Sequence, residues 1–313
     1  MIRFILSRLA WFVPNVLILT FLLFAVLTGW LGSPATMMLG LDASPQAIQD
    51  LNAAYGFNDP IIQQYARWLW AALQGDFGRS YATQQSVASM VMDALPISLE
   101  LALWAISLSA IAAVGLNSLV VSRGPVGGII STISVTCITI PNFMLGATLI
   151  FVFAIYLRWL PTSAWVLWSD GVAEHLKHLV LPVATLSAFY FGSFSMIYRA
   201  EYSAVMSQLF VRVAKAKGIS DTRVSLQHVL PNSVLPVITF MGITLGQLMG
   251  GAVVTEVVFS LPGVGRLFVG AIRGNDYPVI LAVGMIVLTG MMLTNLLADV
   301  ALARINPQVR LSP

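Results

Sequence analysis

The chain has 313 residues, of which 58% are hydrophobic and only 9% are charged, and its mean hydropathy is +0.86. Soluble globular domains are about one quarter charged, so this composition excludes a water-soluble body and indicates a protein surrounded largely by lipid. The formal net charge of +3 gives no reason to expect nucleic acid as a partner. The single cysteine, Cys137, excludes an intramolecular disulfide and a cysteine-rich metal site.

Six stretches without Asp, Glu, Lys or Arg are long enough to cross a membrane as helices, which takes about 20 residues. They run from Leu9 to Leu31, Leu101 to Val121, Ile129 to Leu157, Leu179 to Tyr198, Ser233 to Thr255, and Tyr277 to Ala298. The sequence therefore predicts an all-α, polytopic membrane protein with six transmembrane helices. The first stretch is too long for a signal peptide and no cleavage pattern follows it, so we interpret it as a retained helix.

Basic residues are distributed unevenly between the two sides of the predicted helices. With a cytoplasmic N-terminus, ten of the 16 Lys and Arg residues lie inside, and the longer outer segments hold the other six. Because short cytoplasmic loops are enriched in basic residues, we expect both termini on the cytoplasmic side of the inner membrane. The expected organisation is an N-terminal transmembrane helix (1–31), an extracytoplasmic segment (32–94), and a five-helix core (95–313) with a cytoplasmic loop at 199–232. In the outer segment, apolar spacing from Pro60 to Leu73 predicts an amphipathic helix.

The patterns that bind nucleotides or support common hydrolytic chemistry are absent. The sequence has no Gly-rich phosphate loop ending in Lys, no His-Glu-x-x-His and no Gly-x-Ser-x-Gly. We therefore expect no enzyme activity, no catalytic residue and no cofactor in this chain. His175 and His178, with Glu174, leave two alternatives: a transient metal site, or the start of a helix at the membrane interface. We favour the helix start and predict no metal site.

The cytoplasmic loop predicts two short helices joined by a sharp turn. A helical pattern stops at Gly218, which can adopt the left-handed conformation that ends many helices. Ser220 can cap a second short helix, which we expect Pro231 to end. A compact, basic projection of this kind could dock into a groove on a cytoplasmic partner.

The spacing in this loop resembles that of the permeases of ATP-binding-cassette importers. Ala214, Gly218, Leu230 and Pro231 match the general pattern of those permeases. The residues at three other positions, Arg212, Val213 and His228, depart from it but resemble the oligopeptide/dipeptide/nickel branch. Further stretches that resemble this branch are Met1–Leu9, Asn58–Pro60, Gln64–Tyr65, Gly75–Gly78, His178–Pro182, Thr255–Phe268, Asp276–Ile280 and Asn306–Arg310.

This resemblance implies the first of two permease subunits of a type I importer, half of a translocation pathway for peptides, nickel or other metal chelates, or glutathione-like molecules. The implied partners are a second homologous permease, two ATP-binding-cassette ATPase subunits that bind the ATP, and an extracytoplasmic substrate-binding protein. The loop residues implied in coupling to the ATPases are Arg212, Ala214, Lys215, Lys217, Gly218, His228, Leu230 and Pro231. The alternatives are a self-sufficient secondary transporter or channel, which usually carries ionisable residues in mid-membrane, and a membrane enzyme.

Two further groups of residues are candidates for polar roles within the spans. Glu256 stands at the outer end of the fifth stretch and is followed by a turn with Pro262, Gly263 and Gly265. This group is a candidate outer gate or binding-protein contact, although Glu256 could simply reach water. Asn295 and Asp299 share one face of the last stretch, where we favour a polar contact between helices over a substrate contact.

Overall fold

The computed structural model describes residues 2–30, 34–39, 43–120 and 125–305, and the C-terminal stretch Asn306–Arg310 lies outside them. Within the described residues the chain is helical, and its β-type pairing is one isolated bridge between Arg79 and Ser86. The α-helices in chain order are α1 (Ile2–Trp30), α2 (Pro34–Leu39), α3 (Pro45–Tyr55), α4 (Ile61–Leu73), α5 (Val87–Val120), α6 (Pro125–Thr139), α7 (Asn142–Leu149), α8 (Val172–Met206), α9 (Leu209–Ala216), α10 (Asp221–Val224), α11 (Leu230–Ser233), α12 (Leu235–Gly251), α13 (Val253–Val258), α14 (Val264–Arg273) and α15 (Tyr277–Ile305). Two π-helical turns follow α7 and α10, at Ile150–Tyr156 and Ser225–Val229, and a short 3-10 helix, Trp168–Asp170, precedes α8. The all-α prediction is confirmed.

Among the described residues, five helical stretches are long and apolar enough to cross a membrane, and a bent pair of helices makes six if it counts as one crossing. The five are Arg8–Gly29, Val87–Leu119, Val172–Met206, Asp221–Leu248 and Tyr277–Val300. Each overlaps one of the charge-free stretches of the sequence. The sequence therefore located these helices but underestimated the lengths of most of them, because polar residues continue a helix beyond the hydrocarbon core.

The third predicted span is not one straight helix. Gly127–Thr139 and Asn142–Tyr156 are bent by 105° at the break between them. Pro141 precedes the second piece with φ −60 and ψ 133. Proline has no N–H to continue the helical hydrogen bonds, and it disfavours helical backbone at the residue before it. The charge-free stretch from Ile129 to Leu157 therefore folds as two helices that meet at a sharp bend, and the pair makes the sixth crossing if it counts as one span.

Contacts divide the chain into two compact units. The first comprises Met1–Ser98, Met249–Val253 and Pro262–Pro313, and the second comprises Leu99–Leu248 and Val254–Leu261.

In the first unit, α1 packs against α15. Arg8 is paired to Asp299 (3.4 Å), and the hydroxyls of Thr28 and Tyr277 are hydrogen-bonded (2.8 Å). From residue 8 to residue 28, α1 rises about 30 Å, the thickness of a bilayer's hydrocarbon core. The two contacts thus mark the ends of one crossing, and the predicted interhelical polar contact of Asp299 is confirmed.

The amphipathic helix predicted between Pro60 and Leu73 is confirmed as α4, and it packs within the first unit. The rings of Tyr65 and Trp68 lie 5.7 and 5.8 Å from the Phe24 ring, centroid to centroid. The Tyr65 hydroxyl also lies 2.7 Å from the Thr20 hydroxyl. Helix α4 is therefore anchored on the C-terminal half of α1 rather than lying independently on a surface.

In the second unit, α8 packs against the helices of the bent pair, α6 and α7. Polar side chains tie α5 to it: the Ser109 hydroxyl donates to the Ser187 carbonyl (2.9 Å), and the Asn117 amide donates to the Ser195 hydroxyl (3.1 Å). Such bonds and small residues hold helices together in lipid, where apolar burial gives little drive. A Cβ on Gly192 would lie 2.6 Å from Ile138 Cγ1, so this glycine permits the close approach of α6 and α8.

Candidate functional site

The loop predicted to be a coupling element folds as a short helix, a left-handed turn and a second helical segment. Helix α8 ends at Met206, α9 follows from Leu209 to Ala216, and Gly218 has φ +79. The Gly218 N–H donates to the Lys215 carbonyl (2.9 Å), and the Ile219 N–H donates to the Ala214 carbonyl (3.3 Å). These bonds satisfy carbonyls that the helix end leaves open, as expected for a glycine cap. The predicted left-handed turn at Gly218 is confirmed.

Helix α9 turns an apolar face outward. Val211 and Ala214 are buried against the chain itself, whereas Leu209, Phe210 and Val213 are exposed. The sequence analysis included Ala214 among the candidate coupling residues, and its side chain is buried in the structure. Because α9 carries apolar residues on two faces, periodicity could not tell which face the chain covers itself. The exposed face is an apolar patch on an otherwise basic loop.

Positive charge surrounds this patch. Arg212, Lys215 and Lys217 are all exposed, and the Lys215 ammonium lies 2.8 Å from the Asp221 carboxylate. That ion pair links the residues on the two sides of the Gly218 turn. Exposed pairs contribute little stability on their own, at most about 1 kcal/mol. This pair therefore favours one loop geometry rather than supporting the fold.

The second helical segment does not end at Pro231. Ser220 precedes α10 in extended conformation without a side-chain cap, α10 passes into the π-helical turn, and Pro231 stands in the first turn of α11. The π-helical turn ends immediately before α11. Proline is tolerated in the first turn of a helix, where its missing N–H would have no partner within the helix, so the helical path continues towards α12. His228 and Leu230 lie half-buried along this path, and Pro231 is exposed. The second half of the candidate coupling loop is thus the beginning of a span and not a separate plug.

A buried hydrogen bond joins this segment to the end of α8. The Tyr202 hydroxyl donates to the Ser225 hydroxyl (2.9 Å), and both side chains are buried. Val224 and Val229, on the same segment, are completely buried. Displacement of the loop would therefore be transmitted to α8 and to the helical path that leads into α12.

The candidate gate residues are divided between the two units. Glu256 lies in α13 and is buried, with a relative exposure of 1%, so its carboxylate does not simply reach water. Ser260 adopts a left-handed φ of 53°, and Gly263 is the N-cap of α14. Pro262 and Gly265 flank that cap, and Gly265 is buried. The predicted turn is present, and it leads into an amphipathic helix.

A buried carboxylate that the sequence analysis did not single out fixes the loop between α4 and α5 to the start of α15. Asp276 accepts hydrogen bonds from the Ser80 hydroxyl and from the Tyr81 N–H (3.0 Å). Its relative exposure is 3%. The sequence held only a weak signal for this contact, a run at Asp276–Ile280 that resembles the importer branch. The partners are almost 200 residues apart, so only the fold brings them together.

His175 also has surroundings that the sequence did not reveal. It is in the first turns of α8, which confirms the expected helix start, but its ring is buried rather than interfacial. Its Nδ1 and Nε2 atoms share hydrogen bonds with the Val166 carbonyl (2.6 Å) and the Glu100 carboxylate (2.8 Å). Trp168 stacks on the ring at 3.9 Å. These contacts hold the loop before α8 against α5. Among the described residues, no three His, Cys, Asp or Glu side chains are grouped as metal ligands.

These features define a polytopic helical membrane protein with a basic loop between two of its spans. The family described as "Binding-protein-dependent transport system inner membrane component" matches residues 105–311, and its N-terminal counterpart matches residues 1–102. The chain belongs to this family. It is a multi-pass inner-membrane permease subunit of an ATP-binding-cassette importer, and the alternative of a self-sufficient transporter or channel is not favoured. Membership implies a partner permease, ATPase subunits and a binding protein.

Two relatives illustrate the likeness. The glutathione transport system permease protein GsiC of Escherichia coli (strain K12) is 36% identical over 318 residues, which cover 99% of each chain. The probable peptide ABC transporter permease protein y4tP of Sinorhizobium fredii (strain NBRC 101917 / NGR234) is 35% identical over 282 residues, which cover 89% of this chain and 90% of the relative. The likeness therefore extends over nearly the whole length and includes the loop around Gly218.

Proposed function

We propose that this permease forms half of a translocation pathway for short peptides, including glutathione-like molecules, and that the α9–Gly218 loop couples it to the ATPases. The relatives' names, which refer to glutathione and peptide transport, support the substrate class. The observation that carries the mechanism is the exposed face of α9, where an apolar patch is ringed by basic residues. Such a surface is expected where a soluble partner binds, because large exposed apolar patches are rare without one.

The proposed partners are a second homologous permease, two ATPase subunits and an extracytoplasmic substrate-binding protein. ATP binds to the ATPases, since this chain has no phosphate-binding loop. Closure of the ATPases moves Gly218 and α9. The buried bond between Tyr202 and Ser225 then carries that movement into α8 and the helical path toward α12. The coupling residues are those predicted from the sequence, except that Ala214 acts by packing the loop and not by touching the partner.

We propose that both termini are cytoplasmic, with residues 32–94 outside and residues 199–232 inside. The basic-residue bias of the sequence supports this arrangement. Reporter fusions after Gly75 should then read external, and fusions after Lys217 should read internal. An external signal after Lys217 would contradict the orientation. Glu256, Pro262, Gly263 and Gly265 are the proposed outer gate or binding-protein contact, which the burial of the Glu256 carboxylate supports.

Uptake by the assembled importer tests the substrate class. The two permeases, the ATPases and the binding protein are reconstituted in proteoliposomes and given dipeptides, tripeptides, glutathione and a nickel chelate. ATP-dependent uptake of the peptides is the expected result. Uptake of the nickel chelate alone would show that the substrate class is wrong while leaving the permease assignment intact.

A further inference from the structure

The first unit contains a cavity of about 460 Å³ beside α4 and the start of α15. Ligand pockets have volumes of roughly 300–1,000 Å³ and are lined mainly by apolar and aromatic side chains with a few polar groups. The aromatic residues that line this cavity are Phe24, Phe57, Trp68, Phe77, Tyr81 and Tyr277. The cavity thus has the size and the walls of a small-molecule site, in the segment proposed to lie outside the membrane.

Two opposite charges without ion-pair partners stand in the wall of the cavity. Asp76 and Arg79 are exposed, line the cavity and lie three residues apart in one loop. Among the described residues neither makes an ion pair: Asp76 accepts a hydrogen bond from the Gly78 N–H (2.9 Å), and Arg79 donates a long one to the Gln84 carbonyl (3.4 Å). A carboxylate and a guanidinium therefore remain available for a ligand.

The other charge that lines the cavity is already compensated. Arg67 forms an ion pair with Asp59, which leaves the cavity without excess charge of either sign. A singly charged anion or cation would therefore find as much repulsion as attraction. A zwitterion can place each of its charges against the opposite one, and such charge-assisted hydrogen bonds are among the strongest in proteins.

The walls are held in place by hydrogen bonds and ring contacts of the lining residues. Asp276 fixes the loop through Ser80 and Tyr81, and the Tyr277 hydroxyl is bonded to Thr28. The Trp68 ring rests on Phe24. A rigid site of this kind loses little conformational freedom when a ligand binds.

We propose that this cavity binds a short zwitterionic peptide, and this proposal rests on the peptide specificity proposed above. The peptide's ammonium group binds Asp76, its carboxylate binds Arg79, and an apolar side chain occupies the aromatic interior. The site lies at the permease's own outer surface, separate from the binding protein. A phosphatidylethanolamine headgroup has similar charges and is the other source of this chemistry, which the experiment distinguishes.

The test measures binding of the dipeptide Ala-Phe to the full-length permease in nanodiscs of phosphatidylglycerol. Acetylation of the ammonium group and amidation of the carboxylate remove one ligand charge each, and Asp76→Asn and Arg79→Gln remove the matching protein charges. Each single removal should weaken binding at least about tenfold. Acetylation should have little further effect in Asp76→Asn, and amidation little further effect in Arg79→Gln. Asp50→Asn, an exposed residue of the same segment that does not line the cavity, is the matched control and should bind as wild type.

Three results would overturn the proposal: no saturable binding, equal binding of the doubly blocked peptide, or the same loss in the Asp50→Asn control. Nanodiscs that contain phosphatidylethanolamine provide the second arm. In these nanodiscs, two results together would assign the cavity to lipid instead. The peptide would no longer bind, and phosphatidylethanolamine would copurify with the wild type but not with the Arg79→Gln variant. Uptake by the assembled wild-type importer distinguishes failure of this site from failure of the proposed substrate class. Peptide uptake without binding to the cavity refutes this site alone. Absence of peptide uptake refutes the proposed substrate class.

Discussion

A bulky substitution of Gly218 should abolish ATP-driven uptake without removing the permease from the membrane. Gly218 has φ +79, and a Cβ built there meets no atom of the described residues within 4 Å. An L-residue in this conformation is strained by roughly 1–2 kcal/mol, and no described neighbour opposes the added side chain. The spans are unaffected, so membrane abundance should stay normal. Any larger loss must come from the partner that faces the turn.

Two mechanisms can be separated by the choice of side chain. Alanine adds the backbone strain with the least bulk, whereas asparagine adds bulk but tolerates the left-handed conformation well. A tightly packed partner makes bulk decisive, because overpacking costs about 1–3 kcal/mol, or roughly 5- to 150-fold in affinity. We therefore expect Gly218→Ala to be mild, and Gly218→Asn and Gly218→Asp to lose most ATPase co-purification and uptake.

The assay quantifies membrane level, ATPase co-purification and ATP-driven uptake for the three variants. Gly75 provides a matched control, since it has φ +82 and an equally free Cβ position but lies in the proposed outer segment. Gly75→Asp should keep ATPase co-purification at the wild-type level. Wild-type uptake by Gly218→Asp would refute the coupling role of this loop, and a loss for Ala as severe as for Asp would assign the effect to strain rather than contact.

Three other outcomes are expected. Gly192→Ala should lower the free energy of unfolding of the detergent-solubilised protein by about 1–3 kcal/mol, because the new methyl group collides with the Ser134 carbonyl. Gly128→Ala is the control, and it should leave the stability unchanged because the space around its Cβ is open. His175→Ala should lower the free energy of unfolding by about 2 kcal/mol or more, because it removes two hydrogen bonds and a buried ring. Equal stability of His175→Ala and His178→Ala would contradict this, since His178 is more exposed. The purified chain alone should neither bind nor hydrolyse ATP in a nucleotide-binding and phosphate-release assay, and turnover without a copurifying ATPase would disprove the division of roles.

The contrast between Gly218 and Ala214 shows how far sequence reasoning extends. The left-handed turn at Gly218 could be predicted because glycine alone adopts that backbone without strain, a local property of one residue. The burial of Ala214 could not be predicted in this way, because α9 carries apolar residues on more than one face. Only the neighbouring helices decide which of these faces is covered. The coupling role of these residues therefore stays a prediction, and the packing of α9 decides which surface they present.

The sequence by itself determined where the membrane helices lie, because a span must consist of about 20 residues without unpaired charge. It also determined the family, through short runs spread over the whole chain. Only the tertiary structure decided that Pro141 breaks the third span, since proline is tolerated within a membrane helix when neighbouring helices satisfy the freed carbonyls. The same holds for the Asp276 and His175 contacts. Their partners are distant in sequence, and nothing in the local pattern specifies which buried acceptor a polar side chain will meet once the helices have packed.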